Sequence, residues 1–73
     1  MSNNQQNEIL NRLKAVLADK GRTSRWLAEQ IGKSENTVSR WCANKVQPSI
    51  HQLNEIATIL DVDLRSLVVS TKE

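Results

Sequence analysis

Apolar residues recur along this chain at helical spacing, in separate runs. The first run sets Ile9, Leu13, Val16 and Leu17 on one face. It predicts a helix from about Glu8 to Lys20, with Gly21 as its C-terminal stop. The second run sets Leu27, Ala28 and Ile31 within one arc, with Thr23 ahead of it as an N-cap. Gly32 ends that helix, because glycine takes positive φ at little steric cost and lets the chain turn sharply. The third run is short. Ser34 caps it, and stepping about 100° per residue from Val38 brings Trp41 beside Val38. A fourth run, Ile50, Leu53, Ile56, Ala57 and Leu60, follows Pro48-Ser49, a pair suited to a helix start. Ile59 falls outside its arc.

The third helix has two unlike faces. Opposite Val38 and Trp41 lie Asn36, Ser39, Arg40 and Ala43, a face free of bulky apolar groups. Its side chains match base edges: Asn pairs with adenine, Arg with guanine, and Ser with either. Such a helix suits insertion into a major groove. Glu35, in the first turn, is favoured there by the helix dipole, and alternatively it accepts from cytosine N4. Thr37, on the flank, reaches a backbone phosphate or a thymine methyl. The unpaired N–H groups that open the second helix suit a phosphate, aided by Thr23, Ser24 and Arg25. Lys45 and Gln47, in the loop from Ala43 to Gln47, are further phosphate candidates, the alternative for Lys45 being a solvated loop charge.

On these residues the stretch from Thr23 to Trp41, TSRWLAEQIGKSENTVSRW, resembles the helix-turn-helix of the lambda repressor and Cro family, widely called the XRE family. The resemblance covers roughly Ile9 to Val68. It implies an all-α, compact five-helix domain over residues 8–69, with the helix-turn-helix in helices two and three. In that family a small residue, here Ala28, lets the two helices cross closely, and Gly32 occupies the turn. Val38 and Trp41 match the positions that lock the recognition helix down. Val62-Asp63-Leu64 matches the start of a fifth helix, with Leu64 and Leu67 turned mainly to the core. Ser24 stands where Gln is usual, so its reach to the backbone is shorter. Asn44 replaces a glycine, a mild departure because Asn tolerates left-handed geometry. Asp61 replaces another, which predicts a different ending for the fourth helix.

The function implied is a sequence-specific transcriptional regulator, a repressor, that reads double-stranded DNA as a homodimer. Its recognition helices would enter successive major grooves about 34 Å apart on a pseudo-palindromic operator. Pairing also answers the small interface of one module. Ile59, Leu64, Val68 and Val69 supply apolar material for the subunit contact, with Ile59 and Val69 foremost. The alternative is a protein-interaction module on the same fold, such as an antitoxin-like or restriction-modification controller component. A pure protein binder has no need of Asn36 and Arg40.

Composition narrows the picture. With 73 residues there is room for one domain, which buries only about 60% of its unfolded surface. Phe and Tyr are absent and Gly and Pro scarce, which favours helices over a sheet. The polar leader Met1 to Asn7 reads as disordered. It carries no Lys or Arg, which weighs against a base-contacting arm. Ser70 to Glu73 reads as a tail. Trp26 lies off the Leu27 and Ile31 face, which predicts local packing on the first helix or the loop after the third; a DNA or partner contact is the alternative. Cys42 is the one cysteine, so no internal disulfide forms and no zinc cluster assembles. It is read as a structural thiol rather than a redox sensor, and it fits a reducing cytoplasm. His51 has no ligand partners.

No signal sequence or membrane-length apolar run is present, so a soluble cytoplasmic protein of a bacterium or phage, working at the nucleoid, is expected. The net charge of +2 is weak by itself, but its distribution is uneven. Arg12 to Lys45 holds eight basic residues against three acidic ones, and the C-terminal third is net acidic. That is the asymmetry of a DNA-facing half and a half turned away. No carboxylate pair, Ser/His/Asp set or glycine-rich phosphate loop is present to suggest an enzyme, and no cofactor is expected.

Overall fold

The computed structural model describes residues 9–70. The expected leader lies outside the described residues, as does the expected tail except for Ser70, which is in a strand. The chain runs through strand β1 (Ile9–Asn11), helices α1 (Leu13–Asp19), α2 (Ser24–Ile31), α3 (Glu35–Cys42) and α4 (Ile50–Leu60), one 3-10 turn (Leu64–Leu67), and strand β2 (Val68–Ser70). The fold is therefore mostly helical, with four α-helices among the described residues rather than five and with a small sheet.

Both corrections arise where the two ends of the chain meet. β1 and β2 pair antiparallel, Ile9 opposite Ser70, Leu10 opposite Val69 and Asn11 opposite Val68. The Arg12 N–H continues the ladder by donating to the Leu67 carbonyl at 2.9 Å. Ile9 has the four-residue spacing from Leu13 that reads as helix, yet its backbone is extended. The cause is Asn11, whose Oδ1 accepts from the Leu13 N–H at 3.0 Å and so satisfies a free donor of α1. Asn offers the backbone this local alternative, and α1 begins after it. At the other end, Asp63 Oδ1 accepts from the Arg65 N–H at 2.8 Å and starts a single tight turn. Val68 then takes an extended conformation, φ −123° and ψ 150°, as suits a β-branched residue. The Asp63 carboxyl is held below its ordinary range by the side-chain hydrogen bond from Arg65, then by the backbone bond and the guanidinium charge.

All four helices end alike. Gly21, Gly32, Asn44 and Asp61 each take positive φ, at 68°, 70°, 59° and 59°. After each, the next N–H reaches back five residues: Arg22 to Leu17 O, Lys33 to Ala28 O, Lys45 to Arg40 O, and Val62 to Ala57 O, at 2.8–3.0 Å. This is the Schellman closure, which satisfies carbonyls that a helix end leaves free. The expected difference at Asp61 does not occur, because a short polar side chain tolerates the left-handed region. At the starts, Thr23, Ser34 and Ser49 each accept from the N–H three residues on. Ser49 and Gln52 complete a reciprocal capping box.

The core gathers Leu13, Val16, Leu17, Leu27, Ala28, Val38, Trp41, Leu53, Ile56, Ala57, Leu60 and Leu67. α2 and α3 form the most extensive helix pair, and α4 supports α2 from behind. Two expectations fail at the edge of this core. Ile50 was expected to face inward but is 65% exposed, because it is the first residue of α4, one turn short of the core layer that begins at Leu53. Ile59 was expected to face outward, and it is half-buried against the core.

Candidate nucleic-acid interface

α3 is seated on α2 by its apolar face. Val38 is fully buried and Trp41 4% exposed, with Leu27 and Ala28 of α2 in the same cluster. Three local devices set the angle between the helices. Thr23 Oγ1 accepts from the Trp26 N–H at 3.0 Å, Gly32 makes the left-handed turn, and Ser34 Oγ accepts from the Thr37 N–H at 3.1 Å. Burying one side of α3 leaves the other to solvent, where Glu35, Asn36, Ser39, Arg40 and Ala43 are exposed. Among the described residues, no hydrogen bond or ion pair engages the side chains of Glu35, Asn36, Ser39 or Arg40. Their donors and acceptors are open to an incoming ligand.

The flanks are more varied. Ser24 is half-buried, with Oγ 3.5 Å from Cys42 Sγ, which places the start of α2 beside the last turn of α3. The side chain thus turns toward α3. The Ser24 and Arg25 N–H groups have no partner among the described residues, as expected at a helix start. Thr23 is exposed, and its hydroxyl proton is still available. Arg25 lies 3.8 Å from Glu29, both well exposed, a pairing that contributes little and leaves the guanidinium mobile. Thr37 is half-buried and shares a 2.9 Å hydrogen bond with the Ser34 hydroxyl. Lys45 is exposed in the loop after α3. Gln47 is exposed too, but its amide is engaged, accepting from Asn11 Nδ2 at 2.8 Å and donating to Asn44 Oδ1 at 3.1 Å. The structure thus sets the α2 start beside the last turn of α3, which the loop directly follows. Ile59, Leu64, Val68 and Val69 are all half-buried, the first three packed on the core.

Trp26 is half-buried against the core, in keeping with local packing. The Arg22 guanidinium lies over its ring at 4.4 Å from the centroid, a cation–π arrangement to which the sequence had given no role. Asn11 was missed altogether. It is the buried polar residue of the described chain, 6% exposed, and its one sequence signal is an amide inside a would-be helix interior. Among the described residues no group of three or more His, Cys, Asp or Glu could hold a metal ion, and no helix is long and apolar enough to cross a membrane.

The comparisons point the same way as the geometry. The sequence model of a family described as "Cro/C1-type HTH DNA-binding domain" matches residues 12–73. A crystal structure described as that of a "putative DNA-binding protein" from Bacteroides fragilis superimposes with a TM-score of 0.84. It is 61% identical, over 85% of this chain and 100% of that one. Comparison with curated proteins gives no match.

Proposed function

Because the chain belongs to the family of Cro/C1-type helix-turn-helix DNA-binding domains, we propose that it regulates transcription as a homodimeric repressor, reading the two halves of a pseudo-palindromic operator on bacterial or phage DNA. The observation that carries this reading is the division of α3. Val38 and Trp41 are buried while Asn36, Ser39 and Arg40 stand open on the far side. Arg40 is assigned to guanine, Asn36 to adenine, and Ser39 and Glu35 to neighbouring base edges. Thr23, Ser24, Arg25, Thr37, Lys45 and Gln47 are assigned to phosphates, where unpaired N–H groups and positive charge fix register without reading sequence. Ile59, Leu64, Val68 and Val69 are assigned to the subunit contact, since each keeps part of its apolar surface in solvent.

Selection of bound sequences from random duplex DNA tests the proposal, with recovered sites assayed at two salt concentrations. An enriched inverted repeat is expected, lost by the Asn36→Ala/Arg40→Ala double variant. Arg40→Ala alone should cost about 1–3 kcal/mol on the selected site and relax its sequence preference, whereas Lys45→Ala should weaken all duplexes alike. Absence of enrichment, or binding indifferent to Arg40, would sink the assignment of the groove face.

A further inference from the structure

The loop after α3 is not held only by its own residues. We propose that Asn11 and Asn44 form a clamp that positions this loop for its phosphate, so that a residue of the N-terminal strand is a positioning residue for DNA binding. This inference rests on the DNA-binding reading above.

The clamp is a reciprocal pairing of two amides with two stretches of backbone. Asn44 Oδ1 accepts from the Asn11 N–H at 3.0 Å, and Asn44 Nδ2 donates to the Asn11 carbonyl at 3.3 Å. Those two groups point away from β2, and the Asn44 amide meets them as a neighbouring strand would. In return, Asn11 Nδ2 donates to the Trp41 carbonyl at 2.8 Å and to Gln47 Oε1 at 2.8 Å. Asn11 Oδ1 accepts from Leu13. Every polar group of Asn11 is used, as a buried amide requires.

Closing α3 does not require this arrangement. The left-handed turn at φ 59° is one that glycine adopts with less strain than asparagine, and the Asn44 N–H to Trp41 O and Lys45 N–H to Arg40 O bonds are backbone alone. The Asn44 side chain adds the tie to β1. That tie and the Asn11–Gln47 bond pin the loop at two points, and exposed Lys45 and Val46 lie between them. The Val46 and Gln47 N–H groups have no partner among the described residues, so the pinned segment presents two free donors and an ammonium group. Holding such donors in place before the anion arrives removes an ordering cost from binding.

The test is Asn44→Gly, which removes the amide and suits the backbone conformation. DNA binding is measured against salt on random-sequence duplex and on the selected operator, with the thermal midpoint and amide exchange of the free protein alongside. The variant is expected to stay folded. Its Asn11 amide should exchange up to about tenfold faster, the factor that one hydrogen bond of ordinary net strength is worth. The log–log salt slope should become shallower by about 0.9, one phosphate contact, on both duplexes, with the preference for operator retained. A variant that binds with the wild-type salt slope overturns the positioning role. A wild-type protein that binds no duplex overturns the DNA-binding reading, a separate result.

Discussion

The two ends of the recognition helix are secured in different ways. At the start of α3 every tie is short: Lys33 N–H to Ala28 O, Thr37 N–H to Ser34 Oγ, and the Ser34 and Thr37 hydroxyls to one another. At its end the local bonds of Asn44 and Lys45 are joined by bonds from Asn11, 30, 33 and 36 residues away along the chain. The first junction is a property of a short string of residues and forms wherever that string is helical. The second exists only once the terminal strands have paired, since pairing sets the position of Asn11. Angle and turn are thus local matters, and the placement of the following loop is a tertiary one.

Substitutions can separate the two. The largest effect is expected for Asn11→Ala, which strands the Leu13 N–H and removes the side-chain bonds to the Trp41 carbonyl and Gln47 Oε1, leaving only the backbone tie to Asn44; it should cost about 2–3 kcal/mol in chemical denaturation and expose β1, β2 and the loop together to amide exchange. Gly32→Ala comes next. Beyond the adjoining residues, no heavy atom of the described chain lies within 4 Å of the added Cβ, so only the left-handed φ of 70° is penalised, by about 1–2 kcal/mol, without disturbance of the terminal sheet. Ser34→Ala should be the mildest, about 1 kcal/mol, with faster exchange confined to the first turn of α3. If Ser34→Ala loosened the terminal sheet, or Asn11→Ala left it protected, the division between a local and a tertiary junction would be wrong.

The same division decides what could be read from sequence. Thr23, Gly32 and Ser34 act within a few residues of themselves, and the Val38–Trp41 pair is set by helical periodicity, so the caps, the turn and the open face of α3 were legible. Asn44 was legible as a residue that tolerates positive φ. Its amide's partner was not, because nothing near it in sequence points to Asn11. The strands were misread for a related reason. Three residues each, Ile-Leu-Asn and Val-Val-Ser, carry no pattern that excludes helix, and pairing across almost the whole chain decided the outcome. Asp61 shows the opposite error, where the loss of a family glycine was expected to change the helix end and a polar residue filled the same conformation. For the flanking residues proposed to meet phosphate, side-chain orientation was not legible: Ser24 turns toward Cys42, and the Gln47 amide is engaged by Asn11 and Asn44.

The pair of tryptophans gives the protein a built-in optical readout. With no Phe or Tyr in the chain, near-ultraviolet signal comes from Trp26 on α2 and Trp41 on α3 alone. Trp41 is 4% exposed on the buried face of α3, so emission toward the blue is expected of it, with a red shift when α3 lifts from α2. Trp26, half-buried, lies under the Arg22 guanidinium, and its emission is expected to respond to the charge above it. Each helix of the motif thus carries one indole, an intrinsic probe that needs no label.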